Sequence, residues 1–170
     1  SFNMSAGAIL RLSVNDGSYI EGGVGVECAQ PNVSTRAEVN QYPWALDFQS
    51  LSRVTIEHFR CSGSWNGVNA LGNTGGAKIN TMEIGALNEG LNIDGALDFW
   101  HATTLHFWPF GFTGAALTDL YENVYSDGLT IGANIRACDG LDIKALNVFR
   151  CSVKVDAALS SVPFGNIGSL

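Results

Sequence analysis

Residues 66–70, 89–93 and 127–131 read "NGVNA", "EGLNI" and "DGLTI". Each is a polar residue, a glycine, then an alternation of apolar and polar side chains. The first two residues supply a turn, and the alternation is that of a strand with one buried face. "SVKVD" at 152–156 is a fourth copy without the glycine. Other bursts share the period of two, among them Leu10, Leu12 and Val14, then Val24, Val26 and Cys28. Helical periodicity is almost absent.

Val68, Leu91, Leu129 and Val153 step by 23, 38 and 24 residues. A second stripe, Met82, Leu105, Ile143 and Ile167, also steps by 23, 38 and 24. Upstream, Leu46 to Val68 is 22 residues but Ile56 to Met82 is 26, which predicts one longer corner near Gly75 and Gly76. A unit of about 22–26 residues with two or three strands cannot bury its apolar face alone. Stacking such units in parallel, about 4.8 Å apart, makes the core continuous. The expected fold is therefore all-β, a right-handed parallel β-helix forming one domain over residues 1–170. A β-sandwich also spaces its strands evenly, but it does not give two stripes the same intervals. The abrupt ends of the sequence are those expected of a piece of a longer chain.

Hydrophobic residues make up 46% and charged residues 15%, with 20 glycines, a globular composition rich in turns. The net charge is −7 and the nine Lys and Arg are scattered, so no basic face for nucleic acid is expected. No apolar run reaches the roughly 18 residues of a membrane span. Cys28, Cys61, Cys138 and Cys151 form no C-x-x-C pair, and no His lies at zinc-finger spacing. They read as buried thiols, and neither metal nor cofactor is expected.

The step of 38 exceeds a coil by about 14 residues on both stripes, so an insertion lies between Leu105 and Leu129. This inserted loop, 106–128, opens with "HFWPFGF" at 106–112; a second irregular excursion covers 29–44 and its side is not fixed by register. Departures from a solenoid are where recognition usually sits. The substrate-binding candidates are His106, Trp108, Tyr121 and Tyr125, with Trp100, Asp94 and Asp98. Aromatic rings accept the C–H face of a sugar, while acids and amides bond its hydroxyls. Phe107, Phe110 and Phe112 read better as cover for the coil or as a subunit contact. Asp94 and Asp98 also read as turn residues.

The catalytic candidates are Glu57, Glu83, Asp119 and Glu122. In an ideal register Glu57, Glu83, His106 and Lys144 share one outward column. Two acids so close repel, which raises the pKa of one and separates an acid from a base. Retaining glycosidases hold their carboxyl groups about 5–5.5 Å apart and inverting ones about 6.5–9.5 Å. The plainer reading of that column is a solvated ladder. A second column, Asp47, Asn69, Asn92, Thr130 and Lys154, reads as a structural polar ladder.

The phrases "SRVTIEHFRCSGSWNGVNA" (52–70), "GLDIKALNVFRCSVKVD" (140–156) and "ATTLHFWPFGFTG" (102–114) resemble the coils of pectate-lyase-like β-helix proteins and bacteriophage tailspikes. The resemblance spans residues 45–170. It implies a homotrimer on the virion tail that binds bacterial surface polysaccharide, of O-antigen or capsule type. In many such proteins Asp or Glu residues hydrolyse that polysaccharide, but no catalytic motif transfers residue by residue. A non-catalytic trimeric stalk or receptor-binding segment stays open, as does a secreted or cell-surface pectate-lyase-like enzyme. No calcium-binding Asp cluster with Arg or Lys is recognisable.

Overall fold

A computed structural model describes residues 8–12, 19–155 and 165–168, with only the backbone at 165–167. Val14 and Asp156, which the repeat reading used, lie outside the described residues. The strands are β1 (Ala8–Arg11), β2 (Tyr19–Glu27), β3 (Trp44–Asp47), β4 (Thr55–Leu71), β5 (Lys78–Asp94), β6 (Ala96–Phe107), β7 (Ile131–Ile135), β8 (Cys138–Val148), β9 (Ser152–Val155) and β10 (Gly165–Ile167). Among the described residues one α-helix, α1 (Gly114–Asn123), interrupts them. The chain is mostly strand, and every described strand pairing is parallel.

The pairings fall into two ladders. The first runs β2, the N-terminal half of β4, the N-terminal half of β5, β6, β8, β10. The second runs β1, β3, the C-terminal half of β4, the C-terminal half of β5, β7, β9. β4 and β5 serve both because each is 17 residues long, and their pairing register shifts between Ser62 and Asn66. Each pass of the chain thus lays one strand on each face.

Between the faces lies the core. The first face contributes the in-register rows Ile20, Ile56, Ile79, Ala102, Ile143 and Phe59, Met82, Leu105, Leu146, all buried. The second contributes Leu46, Val68, Leu91 and Ala133. Fully burying one such side chain stabilises by about 1.5–3 kcal/mol, and neighbours above and below complete each burial.

The register departs from the sequence reading in three places. Ile56 pairs with Ile79, not Met82, so that pass is 23 residues and the longer corner at Gly75 and Gly76 is withdrawn. The cause is a bend at which two successive residues, Glu57 and His58, lie outside the core, breaking the period of two. Leu105 pairs with Leu146, a step of 41, where Ile143 was expected. Leu91 pairs with Ala133, a step of 42, where Leu129 was expected, and Ala133 with Val153, a step of 20. Both stripes therefore share one long insertion, longer than the sequence indicated.

The third repeat is not "DGLTI" but "IGANI" at 131–135. Gly67, Gly90 and Gly132 stack: a Cβ on Gly67 would lie 2.3 Å from the Gly90 carbonyl oxygen, and one on Gly90 2.4 Å from that of Gly132. Gly128 instead ends a short 3-10 turn at φ 70°, and Leu129 is exposed. Two residues beyond each stacked glycine stands the polar ladder Asp47, Asn69, Asn92, Asn134, Lys154, with Asn134 replacing Thr130. Asn69 Nδ2 donates to Asp47 Oδ1 at 3.1 Å, and Asn92 Nδ2 to Asn69 Oδ1 at 3.0 Å.

Candidate functional site

The two detours leave the coil at the same corner. Residues 28–43 join β2 to β3 and residues 108–130 join β6 to β7, each crossing from the first face to the second. They meet in a second apolar cluster, where Val33 and Val39 pack with Leu87, Leu120, Val124 and Tyr125. Arg36 ties them together. Its guanidinium donates to both carboxylate oxygens of Asp127, at 2.5 and 3.0 Å, and to the Leu87 and Val124 carbonyls. It also donates to Thr130 Oγ1 at 2.7 Å. Partial burial alone would raise the Asp127 pKa; the Arg36 and Leu129 hydrogen bonds and the Arg36 charge overcome this and hold it below the usual carboxylate range.

"HFWPFGF" begins in strand and ends in turn. His106 and Phe107 finish β6, with Phe107 buried. Trp108 still donates its N–H to the Ile84 carbonyl, at 3.3 Å. Pro109 cannot continue a ladder; Phe110 N–H bonds back to the Trp108 carbonyl at 2.7 Å, and Gly111 takes φ 87°. Gly85 allows this crossing, since a Cβ there would sit 3.1 Å from Phe110 N and 3.2 Å from Trp108 O.

The result is an aromatic ledge along one margin of the first face. Phe110 meets His106 edge-on at 5.1 Å, His106 lies 6.2 Å from Trp108, Trp108 lies 4.3 Å from Phe149, and Phe149 lies 5.3 Å from Tyr121. Arg60 stands 4.8 Å over Phe110 at one end, and Arg150 5.0 Å over Tyr121 at the other. Trp108 is 39% exposed, whereas Trp100 is fully buried and Trp44 and Trp65 are partly so. Behind the ledge Glu83 accepts from, or is paired with, His58 Nε2 at 3.1 Å. A ring face framed by cations and a carboxylate can pack a sugar and bond its hydroxyls.

His106, Trp108 and Tyr121 all lie along this ledge. Two candidates are not at the surface. Trp100 stacks on Phe48 in the core, 6.1 Å between centroids. Tyr125 is buried beneath α1 and donates to the Ala86 carbonyl at 2.9 Å, and burial pushes its phenol well above its ordinary pKa. Asp94 pairs with Arg136 at 3.5 Å. Asp98 lies within β6, at the register shift between Ala96 and Phe99, with φ 89° and its carboxylate accepting the Phe99 N–H.

The acid column dissolves in the corrected register. Glu83 lies opposite Arg60 and His106, three positions along β4 from Glu57, so the backbone positions of the two acids are offset by about 10 Å along the strands. Lys144 likewise falls on a different row from His106, whose partner is Asn147. Asp119 and Glu122 lie on α1 one turn apart, Asp119 half-buried and Glu122 exposed. All four cysteines are free thiols, and burial pushes Cys28, Cys61 and Cys151 up to about 11. Among the described residues no three His, Cys, Asp or Glu side chains converge to hold a metal.

Phe149, Arg150 and Arg60 were not singled out from the sequence. The repeated "FRCS" at 59–62 and 149–152 disguised them: Phe59 lies in the core, but Phe149 stands at the corner. Comparison with protein-family models, with curated proteins and with solved structures finds no match to this chain.

Proposed function

We propose that the chain is a segment of a right-handed parallel β-helix of the bacteriophage tailspike kind, binding bacterial surface polysaccharide on the aromatic ledge. The handedness follows from a general preference: parallel crossovers within one sheet are right-handed in nearly all proteins. The observation that carries the function is Trp108, the most exposed of the four tryptophans, held on the Phe149 ring at the root of the long detour. The exposed indole is backed by a second ring, and arginines cover the neighbouring rings Phe110, Phe149 and Tyr121. It is the arrangement that grips a sugar ring by its C–H face. The reading is one of binding; Glu57 and Glu83 stand on different rows of the ladder. Homotrimeric assembly on a virion tail belongs to the same proposal.

The test is a titration of the chain with oligosaccharides from a panel of O-antigens and capsules, following tryptophan emission. A saturable change with at least one of them is expected. Emission unchanged by every member of the panel would sink the reading.

A further inference from the structure

At the other end of the first face lies a trough that the ledge does not use. Its rows are set by the ladder: Tyr19, Thr55, Lys78, His101 and Asp142 lie side by side, one strand spacing apart. Two positions further along come Glu57, Asn80, Thr103 and Lys144, and these with Thr55, Lys78, His101 and Asp142 line the trough. Phe99 extends it at the lower margin and stacks on His101, 5.8 Å between centroids.

The acids of the trough are already engaged. Glu57 Oε1 accepts the Tyr19 hydroxyl at 2.8 Å, a contact that raises the phenol pKa. Asp142 Oδ2 faces His101 Nδ1 at 3.4 Å. A carboxylate only accepts, so Nδ1 carries the proton and Nε2 is left for a ligand. Lys78 stands exposed between these two pairs with no described partner, beside the Asn80 amide and the Thr55 and Thr103 hydroxyls. In a chain of net charge −7, the exposed Lys78 ammonium, set among an amide and two hydroxyls while the nearby carboxylates Glu57 and Asp142 face Tyr19 and His101, marks a place for negative charge.

We propose that this trough is a second binding site, separate from the aromatic ledge, for an oxyanion carried by a hydroxylated ligand. The anion, a carboxylate or a phosphate, sits on the Lys78 ammonium. Asn80 and Thr103 donate to it or to neighbouring hydroxyls, and His101 Nε2 bonds a further hydroxyl. The claim stands or falls independently of the glycan reading of the ledge.

Amide shifts in a nitrogen-15 NMR spectrum, followed while glucuronate, inorganic phosphate and methyl glucoside are added in turn, test it. Glucuronate or phosphate should shift Lys78, Asn80, His101 and Thr103, and whichever binds tighter identifies the source of the anion. Lys78→Met should weaken that binding about tenfold, the worth of one charge-assisted hydrogen bond. Lys78→Arg should retain most of it, and added salt should weaken it in the wild type. Lys78 is solvent-exposed, so both variants keep the wild-type melting temperature. Equal binding of methyl glucoside, unchanged affinity in Lys78→Met, equal loss in Lys78→Arg, or shifts confined to the ledge would each overturn the proposal.

Discussion

Arg36 reaches from the first detour into the second, donating to five oxygens there and along the coil's edge. The Arg36 and Asp127 side chains keep 17% and 29% of their surface exposed, so solvent screens part of the charge left when one partner is removed. Arg36→Met should therefore cost about 1–2 kcal/mol by urea denaturation, chiefly through the hydrogen bonds lost, with the two detours losing protease resistance before the coil does. Asp127 adds a pH dependence of definite sign. Its folded pKa is depressed, so its contribution is complete above the unfolded carboxylate value of about 3.9 and is lost as pH falls through the folded value. The urea midpoint of Asp127→Asn should lie below wild type at neutral pH, and the two should converge in acid. Parallel curves across the acid range would contradict this pairing. None of it was legible in the sequence. Arg36 and Asp127 are 91 residues apart, and "DGLTI" looked like a strand entry because a turn-ending Asp-Gly and a strand-opening one are spelled alike.

At the scale of elements, the informative signal was glycine followed two residues later by asparagine. Gly67 with Asn69, Gly90 with Asn92 and Gly132 with Asn134 mark the true register of the second face. The glycine is required because the backbones of successive passes approach too closely for a side chain. The asparagine is favoured because its amide donates to the pass below: Asn69 to Asp47, Asn92 to Asn69, and Asn134 to Glu89. Gly90→Ala, which would drive a Cβ to within 2.4 Å of a carbonyl oxygen, should destabilise by about 3 kcal/mol. Gly25→Ala, at a strand position with open space and no positive φ, serves as the control and should cost little. Equal losses in the two variants would contradict stacking as the source of the cost. Alternation revealed the strands because a half-buried strand must show it. It misplaced Ile56 by three residues because the bend at Glu57 and His58 turns two neighbours outward together. That slip created the apparent Glu57–Glu83 pair. The helix α1 escaped notice because its ten residues bury only Leu120 and carry little apolar periodicity.

The whole molecule is a stack of parallel passes whose two long detours emerge at one corner and fold together beside one sheet face. The location of the longer detour could be inferred from sequence, because an insertion delays both stripes alike. The composition of the ledge could not, because Phe149, Arg150 and Arg60 join it only through stacking. If the chain assembles as tailspikes do, light scattering should report three times the mass of one chain, and a monomer would count against that part of the proposal. The ledge itself is tested most directly by Trp108→Ala, measuring polysaccharide affinity and melting temperature on the same sample. Affinity should fall at least about tenfold, while the lost ring contact of about 1 kcal/mol lowers melting by only about 2–4 °C. Unchanged affinity for a polysaccharide that the wild type binds would contradict the account.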